Sequence, residues 1–134
     1  MKIESKKVDI ERSDELVFQY ISNLNNFGKI LPSQVKNWQS TEDECSFEID
    51  GMAKITLVVS SKIPNNFVEY SASADKPINL RLSCYIDDKG GNQCQVYNEI
   101  DIDVPIFMAG MVKKPLQNFA DQIMDRLKQS CEAM

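Results

Sequence analysis

The sequence predicts an α+β fold in which a curved antiparallel sheet of about seven strands wraps around a long C-terminal helix. Two observations support this. Apolar and polar residues alternate with a period of two, interrupted by turn signals, from about residue 35 to residue 104. After Pro105 the period becomes 3.6. A strand and two short helices come first, and the order β-α-α-β6-α buries every apolar face if the sheet bends around the last helix.

The first predicted strand covers residues 2–11, where polar and apolar residues alternate. Ile3 is out of phase with Val8 and Ile10. Because side chains alternate between the two faces of a strand, this mismatch predicts a bulge or a change of face near residues 5–7.

Two short helices are predicted next. Ser13 is placed to cap the first helix, and the apolar residues that follow repeat at helical spacing: Val17, Tyr20, Ile21 and Leu24. Asn25 and Asn26 interrupt this pattern, and Pro32 ends the second helix after about one further turn.

Six strands of the sheet are then predicted, at residues 35–41, 45–50, 53–63, 67–74, 78–87 and 93–104. The first hairpin has two possible turns. A three-residue loop at residues 50–52 would pair Phe47 with Ile55, whereas a two-residue loop would pair it with Lys54. We favour the longer loop, with Gly51 taking a positive φ.

The last helix is predicted to have about five to six turns. Pro115 lies inside it and lacks the amide that the preceding turn needs, so we expect a kink or a break near residues 111–114.

Parity along the strands assigns one apolar set to the inner face of the sheet. The members that we take as candidate site residues are Phe47, Ile49, Ile55, Leu57, Tyr70, Leu82, Cys84, Val96 and Asn98. Asn98 and Tyr70 carry polar groups there, which a ligand could satisfy. The acidic row Glu99, Asp101 and Asp103 falls on the opposite, solvated face.

Composition excludes several classes of protein. The 134 residues fit one domain, 1–134, and the net charge of −5 argues against nucleic acid as a class of partner. The longest apolar run, residues 104–112, is too short for a transmembrane segment, and with no secretory pattern at residues 1–7 a cytoplasmic location is expected. With no histidine and four scattered cysteines, we expect no metal and no cofactor.

The segment 8–23 resembles the entry segment of the helix-grip superfamily. Ser13, the Val17-Phe18 pair and Pro32 stand where that superfamily has a small residue, an apolar pair and a proline. It includes START lipid-transfer domains, polyketide cyclases and birch-pollen-allergen-like proteins, often grouped as SRPBCC. Leu31 replaces the tryptophan that many members have before the proline. The resemblance implies a hydrophobic cavity between sheet and last helix, but no particular reaction.

We therefore expect this protein to bind or transport an apolar small molecule, such as a lipid, a quinone or a polyketide-like compound. The helix would contribute flexible and aromatic side chains to the cavity: Phe107, Met108, Met111, Val112 and Phe119.

Two alternatives stay open. One is a partner-binding module of the co-chaperone or ribosome-associated kind, indicated by a filled cavity and an exposed apolar patch at Phe27, Ile30, Leu31 and Trp38. The other is a cyclase- or dehydratase-like enzyme, which would need Tyr70, Cys84 or a buried carboxylate as acid or base. No catalytic residue is assigned, and whether the protein is an enzyme is left open.

Overall fold

The computed structural model describes residues 1–31, 35–49, 53–74 and 79–134. Within them, eight strands form one antiparallel sheet of order β1-β8-β7-β6-β5-β4-β3, with β2 also paired to β8. The strands are β1 (Lys2–Glu4), β2 (Val8–Ile10), β3 (Val35–Ser40), β4 (Glu44–Ile49), β5 (Ala53–Ile63), β6 (Phe67–Ala74), β7 (Asn79–Gly90) and β8 (Gln93–Asp103). The helices are α1 (Asp14–Ser22), a 3₁₀ helix (Leu24–Lys29) and α2 (Ile106–Glu132). The predicted fold class, a curved sheet with a long C-terminal helix, is confirmed.

The predicted first strand is divided in two at the expected place. Ile3 pairs with Ile100 and Ile10 pairs with Cys94, so β1 and β2 lie along different parts of β8. At the break, the backbone N–H of Ser5 donates to the backbone carbonyl of Asn98, and the backbone N–H of Asn98 donates to Ser5 Oγ, both at 2.8 Å. These bonds satisfy the backbone where regular pairing stops, and they let β1 and β2 both bury their isoleucines.

The first hairpin has the predicted register, with Phe47 opposite Ile55 and Ile49 opposite Ala53. Residues 50–52, which connect these strands, lie outside the described residues. The predicted positive φ of Gly51 falls outside the described residues. At the other end of the meander, β7 runs to Gly90, beyond the predicted residue 87, through a bulge after Asp88.

The three helices cover different parts of the inner face of the sheet. Ser13 Oγ accepts the Leu16 amide at 3.2 Å and starts α1, as predicted. The helix α1 contacts β6 and β7, the 3₁₀ helix contacts β3 and β4, and α2 contacts β1, β2, β8 and α1.

Pro115 does not break α2, which is continuous over 27 residues. The predicted length of five to six turns was too short, because the helix extends from Ile106 to Glu132 without interruption. Pro115 can donate no bond to the Met111 carbonyl. That turn lies in solvent, where Met111 is 75% exposed, so water can satisfy the carbonyl.

The core is formed by the inner face of the sheet, α1, the 3₁₀ helix and the second half of α2. The first buried residue of α2 is Leu116, and from there the helix buries one stripe: Ala120, Ile123, Met124, Leu127 and Cys131. No helix formed by the described residues has the length and apolar character needed to cross a bilayer.

Candidate functional site

Eight of the candidate site residues lie on the inner face of the sheet and are buried. None is more than 8% exposed: Phe47, Ile55, Leu57, Tyr70, Leu82, Cys84, Val96 and Asn98. The register of the strands makes Tyr70 a neighbour of Leu82 and Cys84 a neighbour of Asn98. The backbone of Ile49 belongs to β4, but its side chain lies outside the described part of the structure.

Tyr70 is fully buried, and its hydroxyl group is already used. It donates a hydrogen bond to the backbone carbonyl of Ile21, near the end of α1. The edge of its ring meets Phe27, with ring centroids 5.0 Å apart. Burial raises the pKa of the Tyr70 phenol well above its ordinary value of 10.0, so the side chain stays protonated. Tyr70 therefore holds α1 and the 3₁₀ helix against the sheet.

Asn98 connects the sheet to α2 and retains one unused acceptor. Its Nδ2 group donates to the Ala120 carbonyl at 3.0 Å. Its side-chain oxygen, Oδ1, is buried and has no hydrogen-bond partner among the described residues. A buried amide oxygen without a partner is costly, so this oxygen is a natural acceptor for a ligand hydroxyl or a bound water.

The interior holds no obvious acid or base. Burial raises the pKa of the Cys84 thiol to about 12, and the same effect raises the pKa of the Cys45 thiol to about 12. Among the described residues, the buried polar side chains apart from tyrosine and cysteine are Ser5, Ser83 and Asn98, so no carboxylate is buried. No group of acidic or cysteine side chains in the described residues could hold a metal ion.

The first half of α2 stands partly clear of the sheet. Of the five candidate residues on it, Phe107 is 80% exposed and Met111 is 75% exposed. Met108, Val112 and Phe119 are half-buried. Val112 and Phe119 pack against the core. The structure thus brings only these two α2 candidates onto the core that contains the inner-face set.

Two apolar residues near one end of the inner face, Ala72 and Leu80, are less covered than their neighbours. Ala72 pairs with Leu80, and Leu80 with Ile102, in a row across β6, β7 and β8. Ala72 and Leu80 are half-buried, whereas Tyr70 and Leu82 in the next row are buried. Because β8 ends at Asp103 and α2 begins at Ile106, the start of α2 lies beside this row. Five apolar residues of β6, β7 and the segment from Val104 to Phe119 are half-buried and packed against the core, and we refer to them together as the open end: Ala72, Leu80, Val104, Val112 and Phe119.

The described residues form two depressions. One, of about 400 Å³, lies beside the Arg81–Asp101 ion pair of 3.3 Å, and its lining includes Ala72 and Leu80 of the open end. The other, of about 620 Å³, lies between α1, the 3₁₀ helix and the end of α2. We call it the α1 groove; it is lined by Ser13, Glu15, Leu16, Gln19, Tyr20, Asn26, Lys29, Ser130 and Met134.

Sequence reasoning did not identify the α1 groove. It gave Ser13 a capping role and placed Tyr20 on the apolar stripe of α1. The signal that was available is Tyr20 itself, because a tyrosine on a buried stripe carries a hydroxyl group that needs a partner. Its neighbours in the groove come from three separate elements, and only tertiary structure shows that they meet.

No family model and no curated protein matches the sequence. Solved structures do match it. A conserved protein from Geobacillus kaustophilus has a TM-score of 0.79 at 9% identity, covering 99% of this chain and 96% of that one. A START superfamily protein from Mycobacterium smegmatis has a TM-score of 0.77 at 13% identity, covering 98% and 97%. This chain has the START-type fold.

An Aha1 protein from Colwellia psychrerythraea, solved as a dimer in solution, shares the START-type fold with a TM-score of 0.64 at 18% identity, covering 98% of this chain and 96% of that one. At these identities the likeness extends to the fold alone. The resemblance inferred from Ser13, the Val17-Phe18 pair and Pro32 is thereby confirmed as a resemblance of fold. The function has to be argued from the site itself.

Proposed function

We propose that this protein binds an apolar small molecule, of lipid, quinone or polyketide-like kind, at the open end between the inner face of the sheet and the first half of α2. The observation that carries the proposal is the change from buried to half-buried apolar residues along the inner face, from Leu82 to Leu80 and from Tyr70 to Ala72. An apolar surface left half-covered beside a helix with exposed Phe107 and Met111 offers the lining that an apolar ligand needs.

The interior chemistry favours binding over catalysis. The inner face is mostly apolar, and its one buried side-chain oxygen that lacks a partner among the described residues is Asn98 Oδ1. It would accept a single hydrogen bond and so orient a ligand that carries one hydroxyl or N–H group. The enzyme alternative gains little support. Burial raises the pKa values of both Tyr70 and Cys84 and keeps them protonated, so neither can act as a base near neutral pH, and the Tyr70 proton is already donated to the Ile21 carbonyl.

Native mass spectrometry of the protein purified from cells tests the proposal, followed by denaturing extraction of any bound compound. Trp38, the only tryptophan, stacks on Phe47 with centroids 6.0 Å apart, so its emission can report titration of the extracted compound. Val112→Arg places a charge at the open end and should weaken binding at least about tenfold. Val58→Arg on the outer face, where Val58 is 42% exposed, is the matched control and should bind normally.

A clean apo mass, together with no emission change across a panel of lipids, quinones and polyketides, would contradict the proposal. Equal loss of binding in both arginine variants would also contradict it, because binding would then not depend on the open end.

A partner-binding module is the second candidate, and the exposed start of α2 favours it. Ile106 is 95% exposed, beside the exposed Phe107 and Met111, and a group of exposed apolar side chains on one helix end suits a protein contact. The patch expected from the sequence is not available for this purpose, because Phe27, Ile30 and Leu31 are at most 4% exposed.

The Aha1 relative in fold was solved as a dimer, so self-association is the first contact to examine. Light scattering after size exclusion, at several protein concentrations, measures it directly. A partner site at the start of α2 predicts that Ile106→Ser abolishes any concentration-dependent increase in mass while ligand binding is retained, because Ile106 is 95% exposed and is not one of the candidate ligand-binding residues.

We also propose a cytoplasmic location. All four cysteines are free and buried, which suits a compartment that keeps thiols reduced. Fractionation of cells that express the tagged protein tests this location.

A further inference from the structure

We propose that the α1 groove is a second binding site, for a small carboxylate with an apolar body such as a medium-chain fatty acid. The groove has a volume of about 620 Å³, which suits a small molecule. It is separate from the open end. Ser130 in the groove and Val112 at the open end are about 27 Å apart along α2, at a rise of 1.5 Å per residue.

The Tyr20 side chain is the first observation that points to a ligand. Tyr20 lines the groove, is 7% exposed, and has a buried hydroxyl oxygen without a hydrogen-bond partner among the described residues. Its backbone carbonyl, in contrast, accepts from Asn26 Nδ2 at 3.0 Å, so the same residue is satisfied at one end only. A buried hydroxyl is normally paired, and an acceptor seated in the groove would supply the missing partner.

The other polar groups of the groove favour an anionic ligand. Lys29 is exposed and forms no ion pair with the described residues. Ser13 Oγ accepts the Leu16 amide, which leaves its own proton free to donate, and Ser130 supplies a second hydroxyl. The one carboxylate of the lining, Glu15, accepts a bond of 3.4 Å from Gln19 Nε2. Lys29 and the hydroxyl groups of Ser13, Tyr20 and Ser130 therefore supply one cation and three donors with which a carboxylate could pair.

The apolar residues of the groove indicate that the rest of the ligand is a hydrocarbon. Leu16 and Met134, with the Tyr20 ring, provide apolar surface in the same groove. A ligand with a carboxylate at one end and a short hydrocarbon body matches both halves, whereas a purely inorganic anion would leave the apolar half unfilled.

Sodium octanoate is the probe, titrated to about 10 mM into the ¹⁵N-labelled protein and followed by amide chemical shifts. We expect saturable shifts at residues 13–20, 26–29 and 130–134. Octan-1-ol, which has the same chain length and no charge, should shift these amides much less. The site is independent of the proposed function, because a ligand at the open end would instead shift amides near Leu80 and Val112.

Two variants with matched controls complete the test. Lys29→Gln should weaken octanoate binding by about tenfold and Tyr20→Phe by several-fold, as expected for the loss of charge-assisted hydrogen bonds. Lys62→Gln and Tyr85→Phe remove a similar lysine and a similar hydroxyl outside the groove and should leave the affinity unchanged.

Both groove variants should fold, because Lys29 is exposed and Tyr20→Phe deletes an unpaired hydroxyl; their amide spectra check this. The proposal is overturned if octanoate shifts no amides in the groove. It is also overturned if octanol shifts them equally, or if neither variant changes the affinity.

Discussion

Replacing Tyr70 by phenylalanine should lower the free energy of unfolding by about 2 kcal/mol, the typical cost of leaving a buried carbonyl unpaired. The Tyr70 hydroxyl donates to the Ile21 carbonyl, and both residues are fully buried. Ile21 lies in the last turn of α1, where carbonyls lack a helical partner. The amide of Asn25, which would serve Ile21 in a longer helix, donates to Asn23 Oδ1 instead. Nothing else among the described residues replaces the lost hydroxyl.

The phenylalanine ring keeps its packing against Phe27, so the change isolates the hydrogen bond. The loss should lower Tm by roughly 6 to 10 °C for a chain of this length. Urea unfolding followed by Trp38 fluorescence and by circular dichroism measures it. The slope of free energy against urea should stay constant, because the surface exposed on unfolding does not change.

Tyr85→Phe is the control for this variant. Tyr85 stacks on Tyr97 on the outer face, with centroids 4.9 Å apart, and its hydroxyl makes no hydrogen bond to the described residues. Its removal should change stability by less than about 0.5 kcal/mol. If Tyr70→Phe also stays within about 0.5 kcal/mol of the wild type, the argued role of the Ile21 carbonyl is wrong.

The pH dependence of the Tyr70 effect has a definite sign. Burial raises the pKa of Tyr70 above its ordinary value of 10.0, so only the unfolded state loses this proton near pH 10. The wild type is therefore destabilised as pH rises above 10, while the phenylalanine variant lacks this contribution. The stability difference between the two should be constant from about pH 6 to 9 and shrink above that range.

Three further predictions follow from burial. Ellman's reagent at neutral pH should label none of the four cysteines in the native protein and all four in urea; a fast-reacting native thiol would contradict their burial. Burial raises the pKa of the Cys131 thiol from 9.0 to about 12, so as pH rises this thiol loses its proton first in the unfolded state. Stability should therefore fall above about pH 9, and an unchanged free energy of unfolding at pH 11, measured by urea titration, would refute this. Gly28→Ala would put a Cβ atom 2.9 Å from the Trp38 indole, so the variant should lose about 1 kcal/mol of stability and its Trp38 emission should shift. An unshifted emission spectrum would show that the indole ring does not lie against Gly28.

The sequence alone determined the order and type of nearly every element. Residues 53–63 and 67–74 were predicted as strands with the bounds that the structure has, because a period of two and Asn-rich turns are local signals. The Phe47–Ile55 pairing also followed, since shifting a strand by one residue would exchange its two faces. The continuity of α2 through Pro115 could not be predicted, because the sequence does not show whether water can reach the Met111 carbonyl that the proline leaves unpaired.

The tertiary structure alone decided how far each candidate side chain is covered. The sequence pattern assigns Met111 and Leu116 to one apolar helix stripe, yet the first is exposed and the second is buried. Helical periodicity gives the direction of a side chain but not the point where the sheet beneath it ends. The same holds for the α1 groove, where Tyr20, Lys29 and Ser130 meet only through the packing of α1 against the end of α2. Local patterns therefore determine the fold, and the packing between distant segments determines which of its surfaces are free to bind.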